Sequence, residues 1–100
     1  MPLGRPVSFK AVVQEGNRVQ VPRLVRWQFS LESTQVLEVR IRAAERIGAN
    51  METYYAKVRG DGRLGIPKLV MKLCDIKAGD IVEVMLSPPE ADEGDSEEQD

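Results

Sequence analysis

The stretch YYAKVRGDGRLGIPKLVMKLCDIKAGDIVEVML, residues 54–86, restates FKAVVQEGNRVQVPRLVRWQFSLESTQVLEVRI, residues 9–41, without a gap at an offset of 45 positions. Ala11 falls on Ala56, Val13 on Val58, Arg18 on Arg63, Pro22 on Pro67, Leu24-Val25 on Leu69-Val70 and Glu38-Val39 on Glu83-Val84. Other apolar positions are replaced in kind: Phe9 by Tyr54, Val19 by Leu64, Val21 by Ile66, Leu31 by Ile76, Val36 by Ile81 and Ile41 by Leu86. A repeat of this length is one supersecondary unit, too small to bury a core alone. The two copies must therefore pack on each other or on another chain.

Each copy reads as a hairpin, a short helix and a further strand. In the second, Tyr54 to Arg59 alternates Ala56 and Val58 with Lys57 and Arg59, a strand pattern. Gly60-Asp61-Gly62 predicts a tight turn, because glycine takes positive φ without steric cost. Arg63 to Ile66 is the return strand. Pro67 suits a helix start, where its missing N–H is not needed. Leu69, Val70 and Leu73 supply an apolar stripe at helical spacing. Ala78-Gly79-Asp80 turns the chain into a last strand, Ile81 to Leu86.

The first copy has weaker punctuation. Glu15-Gly16-Asn17 stands at the hairpin turn, and Asn17 tolerates left-handed φ better than most residues. Ser33-Thr34-Gln35 replaces Ala78-Gly79-Asp80. The division is thus an N-terminal arm (1–8), a first repeat (9–41), a linker (42–53), a second repeat (54–86) and an acidic tail (87–100). The linker of twelve residues reaches roughly 40 Å when extended and restrains little. The expected shared core includes Val13, Val21, Leu24, Val39, Val58, Ile66, Leu69 and Val84.

The formal charge of −2 averages two unlike regions. Glu90, Asp92, Glu93, Asp95, Glu97, Glu98 and Asp100 are seven of the 16 acids. Residues 1–89 keep all 14 basic groups against the remaining nine acids, a net of +5. The tail follows Pro88-Pro89, has one apolar residue, Ala91, and is expected to be disordered. No run of about 18 apolar residues suggests a membrane span. No signal-like stretch follows Met1 to Pro6, which points to a cytoplasmic chain. The lone Cys74 reads as a small buried hydrophobe.

Chemistry of the enzymatic kind finds little support. There is no histidine, the commonest general base and transition-metal ligand. Asp61, Asp75, Asp80 and Glu83 fall in turns and strands without calcium-loop spacing, and no nucleophile motif is present. No enzyme activity, metal or cofactor is expected. Trp27 and Phe29 read as core or interface anchors rather than base-stacking groups.

The motif Gly62-Arg63-Leu64-Gly65-Ile66-Pro67, followed by an apolar helix and Ala78-Gly79-Asp80-Ile81-Val82-Glu83-Val84, resembles the SpoVT-AbrB family. Residues 54–86 match nearly all of that pattern. Residues 9–41 match it through Arg18, Val19, Val21 and Pro22 but lack the glycine before the arginine and the Gly-Asp pair. The resemblance implies a mainly β fold with short helices: a swapped-hairpin (double-split) β-barrel, here an internal pseudo-dimer of two AbrB-like units, or a homodimer of whole chains. It also implies a nucleoid-associated transcriptional regulator or chromatin-associated factor that binds duplex DNA. The family's DNA-binding positions carry over to Arg18, Arg63, Arg23 and Lys68.

The basic residues fit that reading on their own terms. Lys10, Arg18 and Arg23 stand in register with Tyr55, Arg63 and Lys68, while Arg59 and Lys57 lead into the second turn. Arg26 has Lys72 near its equivalent place. Arg outnumbers Lys nine to five, and arginine binds phosphates and guanine edges bidentately. The candidate DNA contacts are Arg18, Arg63, Arg23, Lys68, Arg59 and Lys10. The rival expectation is a protein-interaction module, antitoxin-like or scaffolding, whose acidic tail docks a partner.

Overall fold

In Val7–Val12 the side chains alternate between half-buried and exposed, the period of two that a strand on one core face requires, and this is β1. The structure is a computed structural model and describes residues 6–28 and 36–88. Gly16 and Asn17 both take positive φ, 88° and 57°, and turn the chain into β2, Arg18–Gln20. The Pro22 carbonyl accepts from the Arg26 amide at 3.1 Å as α1, Arg23–Gln28, begins. The first copy continues with β3, Val36–Ala43.

The second copy repeats the plan with β4, Glu52–Lys57; β5, Arg63–Gly65; α2, Lys68–Cys74; and β6, Ile81–Ser87. Of the glycines flanking Asp61, Gly62 alone takes positive φ, 87°. Asp75 ends α2 in the left-handed region, and its amide donates to the Lys72 carbonyl. The fold is mainly β with short helices. β1 starts at Val7, because Val7 is paired with Leu86. β3 runs to Ala43 and β4 starts at Glu52, so pairing takes in both ends of the 42–53 connection.

The strands form a four-stranded sheet in the order β1-β6-β3-β4 and a two-stranded sheet of β2 and β5, all antiparallel. Every one of these ladders joins a strand of the first copy to a strand of the second. The registers obey the 45-residue offset. Val19 faces Leu64 in one ladder and Arg40 faces Met85 in another, so each ladder is centred on a residue and its own repeat equivalent. The other two ladders are equivalents of each other: Ala11 faces Val82 as Ala56 faces Leu37. No ladder joins β1 or β4 to the two-stranded sheet, and the four-stranded sheet stays unclosed.

One core lies between the sheets. Leu37, Ile41, Leu64 and Leu86 are its largest fully buried side chains, each stabilising by about 1.5–3 kcal/mol through burial. Val13, Val21, Val39, Val58, Ile66 and Val84 are buried as expected, as is Cys74. Leu24 and Leu69 are not: they are 65% and 64% exposed. In α2 the core face is Val70, Met71 and Cys74, and Leu73 is exposed as well. Only Ile66 and Pro67 separate β5 from α2, so the strand sets the helix rotation and leaves Leu69 one residue, about 100°, off the inward direction. Trp27, 77% exposed, is no core residue either. Phe29, the Ser33-Thr34-Gln35 turn and residues 89–100 of the acidic tail lie outside the described residues, while Ser87, expected in the tail, ends β6 because it is paired with Glu38. Among those residues no helix is long and apolar enough to cross a membrane.

Candidate nucleic-acid interface

Val19 and Leu64 point inward from the two-stranded sheet and are fully buried. Alternation therefore sends Arg18, Gln20, Arg63 and Gly65 outward. Arg18 faces Gly65 and Gln20 faces Arg63, which makes Arg18 and Arg63 diagonal neighbours, about 7–8 Å apart. Because the strands run antiparallel, β2 delivers the chain into α1 beside the start of β5. Arg23 thus begins its helix at the Arg63 end of the ladder, and Lys68 begins α2 at the Arg18 end. Arg59 joins the Arg63 end through its amide, which donates to the Arg63 carbonyl at 2.9 Å.

Lys10 is not part of this group. It sits on the outer face of the four-stranded sheet, opposite Glu83, and Glu83 is already bridged to Arg42 at 2.8 Å. Arg40 on the same face is held by Glu38 at 3.3 Å. The two outer faces look away from a common core, so five of the six expected contacts converge and the sixth does not.

The turn at Gly62 is held by side-chain and backbone hydrogen bonds. The Asp61 carboxylate accepts from the Arg63 amide at 3.1 Å and lies 3.6 Å from the Arg63 guanidinium. That backbone N–H, aided by the Arg63 and Arg59 charges against some desolvation, holds the Asp61 carboxyl below the usual range. Gln20 donates its side-chain amide to the Asp61 carbonyl at 2.9 Å. The Gly62 carbonyl accepts from the Val21 amide at 2.8 Å. Gln20 and Arg26, outside the six expected contacts, also lie at this turn: a Cβ built on Gly62 falls 2.5 Å from Gln20 Nε2 and 2.7 Å from Arg26 Cζ. Arg26 could be seen as a cation near Lys72's equivalent place. Nothing local says that the end of a helix in one copy folds over the turn of the other.

The remaining carboxylates and the thiol have structural surroundings. Asp80 accepts from the Lys77 amide at 3.0 Å, and Asp75 pairs with Arg46 at 3.3 Å. Glu45, Arg46, Asp75, Lys77 and Asp80 rim an open recess of about 340 Å³ near the end of α2. Among the described residues, no three His, Cys, Asp or Glu side chains are grouped to hold a metal ion. Cys74 is buried with its Sγ 3.5 Å from the Ile41 carbonyl, and burial pushes its thiol up.

No protein-family model and no curated protein sequence matches the chain. The fold is similar to the solution structure of PHS018 from Pyrococcus horikoshii, with a TM-score of 0.72 and 26% sequence identity over 90% of this chain and 99% of that one.

Proposed function

We propose that the chain is a pair of AbrB-like units intertwined as a swapped-hairpin pseudo-dimer, and that it binds duplex DNA as a transcriptional regulator or chromatin-associated factor. The observation that carries the reading is the outer face of the β2–β5 ladder. Arg18 and Arg63 stand diagonally across it, Arg23 and Lys68 flank its two ends, and Arg59 adjoins one of them. Such a stripe of cations draws contributions from both repeats at each end. It suits a phosphate backbone, whose neutralisation by Lys and Arg releases condensed counterions. Asp61, beside it, is already engaged by Arg63.

The salt dependence of duplex DNA binding tests the reading. Affinity falls linearly on logarithmic axes as salt rises, and Arg63→Ala and Arg18→Ala each weaken binding without unfolding the chain. A chain freed of residues 90–100 that fails to bind duplex at low salt overturns it.

A second reading, the protein-interaction module, is favoured by one set of residues. Leu24 and Leu69, at equivalent places on α1 and α2, are exposed together with Trp27. Loss of a captured protein partner in Leu24→Ser or Trp27→Ser, with DNA binding absent, supports this reading over the first.

A further inference from the structure

Exposed apolar side chains gather at the end of α2. Leu69 and Leu73 stand four residues apart, neighbours on one flank of the helix, and both are exposed. The turn that follows β3 is fastened to the end of that helix. The Asn50 side-chain amide donates to the Leu73 carbonyl at 3.2 Å. The Arg46 guanidinium reaches the Asp75 carboxylate at 3.3 Å and donates to the Asp75 carbonyl as well. The Ala49 amide closes the turn on the Arg46 carbonyl at 3.3 Å.

Ile47 stands at the tip of this turn and is fully exposed, and Met51, where the chain enters β4, is exposed too. Turns favour small and polar residues, and nothing in the fold uses an isoleucine here. Ile47, Met51, Leu69 and Leu73 thus make one apolar ledge that is uncovered among the described residues. Contiguous apolar surface of this kind marks an interface.

The charges around the ledge are unevenly spread. Lys68 and Lys72 project from α2 itself and are exposed. Glu45, Asp75 and Asp80 lie together past its end, three carboxylates against the two cations Arg46 and Lys77. A ledge that is positive at one end and negative at the other complements itself when turned about a two-fold axis. Antiparallel approach of two α2 helices sets Leu69 of one copy against Leu73 of the other. It also sets Lys68 of each beside Glu45 of the other.

The first repeat does not reproduce this surface. At the 45-residue offset Gln28 stands for Leu73, Trp27 for Lys72 and Ser30 for Asp75. One self-complementary ledge per chain gives a contact that closes at two copies rather than growing into a fibre.

We infer that two copies of this chain associate through α2 and the 45–51 turn, antiparallel about a two-fold axis, with Ile47, Met51, Leu69 and Leu73 as the apolar seam. This contact is separate from the crossed ladders, which are complete within one chain. It does not depend on the DNA reading, and Lys68 is shared between the seam and the end of the basic stripe. The ledge is smaller than a standard interface, so the association is weak and follows protein concentration.

Sedimentation of nucleic-acid-free protein over a concentration series tests it. The full chain passes from one copy to two as concentration rises. Ile47→Asp, at a turn tip that packs on nothing, keeps the thermal melt of the dilute parent and stays a single copy throughout. Lys68→Glu and Glu45→Lys each set like charges across the axis, and each moves half-association to about tenfold higher concentration. Mixed in equal amounts, these two variants pair again, because the acidic ledge of one meets the basic ledge of the other. A parent that stays single at every concentration overturns the inference, as does an Ile47→Asp chain that pairs like the parent. A mixture that pairs no better than its two components overturns the antiparallel seam and the inference with it.

Discussion

The Tyr54 hydroxyl donates to the Gly65 carbonyl at 3.0 Å and ties β4 of the four-stranded sheet to β5 of the two-stranded one. No ladder links those sheets, so this bond is a direct polar connection between them across the margin of the core. Its neighbour positions explain the choice of residue. Tyr54 stands where the first copy has Phe9, and its ring is buried while the oxygen reaches a strand carbonyl. Tyr54→Phe should lower stability by about 0.5–1.5 kcal/mol in a denaturant titration, because the carbonyl loses its donor.

Tyr54 also sets an alkaline limit. Burial, with a smaller effect of Cys74, pushes its hydroxyl well above the ordinary tyrosine range. The folded state thus holds the phenolic proton more tightly than the unfolded chain does. The stabilisation is fully present below the unfolded value of about 10 and is lost as pH climbs from there through the folded one. Stability should fall on raising the pH above that point, and the fall should be shallower in Tyr54→Phe. Parallel slopes for the two proteins would contradict this.

The exposed and buried leucines predict opposite outcomes from similar substitutions. Leu64 has no solvent exposure, and Leu64→Ala should cost about 2–5 kcal/mol. Leu69, five residues later and well exposed, should change stability by no more than about 0.5 kcal/mol as Leu69→Ala. Paired chemical denaturation of the two variants checks both numbers. Equal losses would mean that α2 turns Leu69 toward a partner surface in solution.

Residues 49–88 expressed alone should not fold as a monomer. β6 loses both of its neighbours, β4 loses β3 and β5 loses β2, since each of these pairings crosses between the copies. The half-chain should be unfolded, or should dimerise by giving each strand a partner from a second copy. Sedimentation and circular dichroism at several concentrations distinguish these from a folded monomer, which would show that the crossed ladders are dispensable.

Removing residues 90–100 should raise duplex affinity. The segment carries seven acids on a chain whose remaining residues are net positive, and a tether keeps it at high effective concentration near the basic face. The gain should be greatest at low salt, where the Debye length is long. Titrations of full-length and truncated chains at two ionic strengths measure it. Equal affinities at both would assign the tail to solubility or to another partner.

The repeat, the turns and the strands were legible in the sequence because each depends on short-range chemistry. Alternation marked β1 and β4, Asn17 and Gly62 accepted positive φ where a turn demanded it, and the prolines announced both helices. The offset of 45 also required each copy to pack on the other or on another chain. What the residues could not say is which strand pairs with which. A hairpin completed within its copy and one completed by the other copy have the same alternation and the same turns, and only long-range packing chooses between them. The rotation of α2 was hidden for a similar reason: Leu69 and Val70 are equally apolar, and the two-residue link from β5 decides which faces inward. The site follows the same division. Arg18, Arg63, Arg23 and Lys68 could be named from the repeat and the family resemblance, and Arg59 from its place on the strand leading into the second turn. The separation of Lys10 onto the opposite face, and the seating of Arg26 over Gly62, arise only when the crossed ladders bring the end of one copy's helix against the other copy's turn.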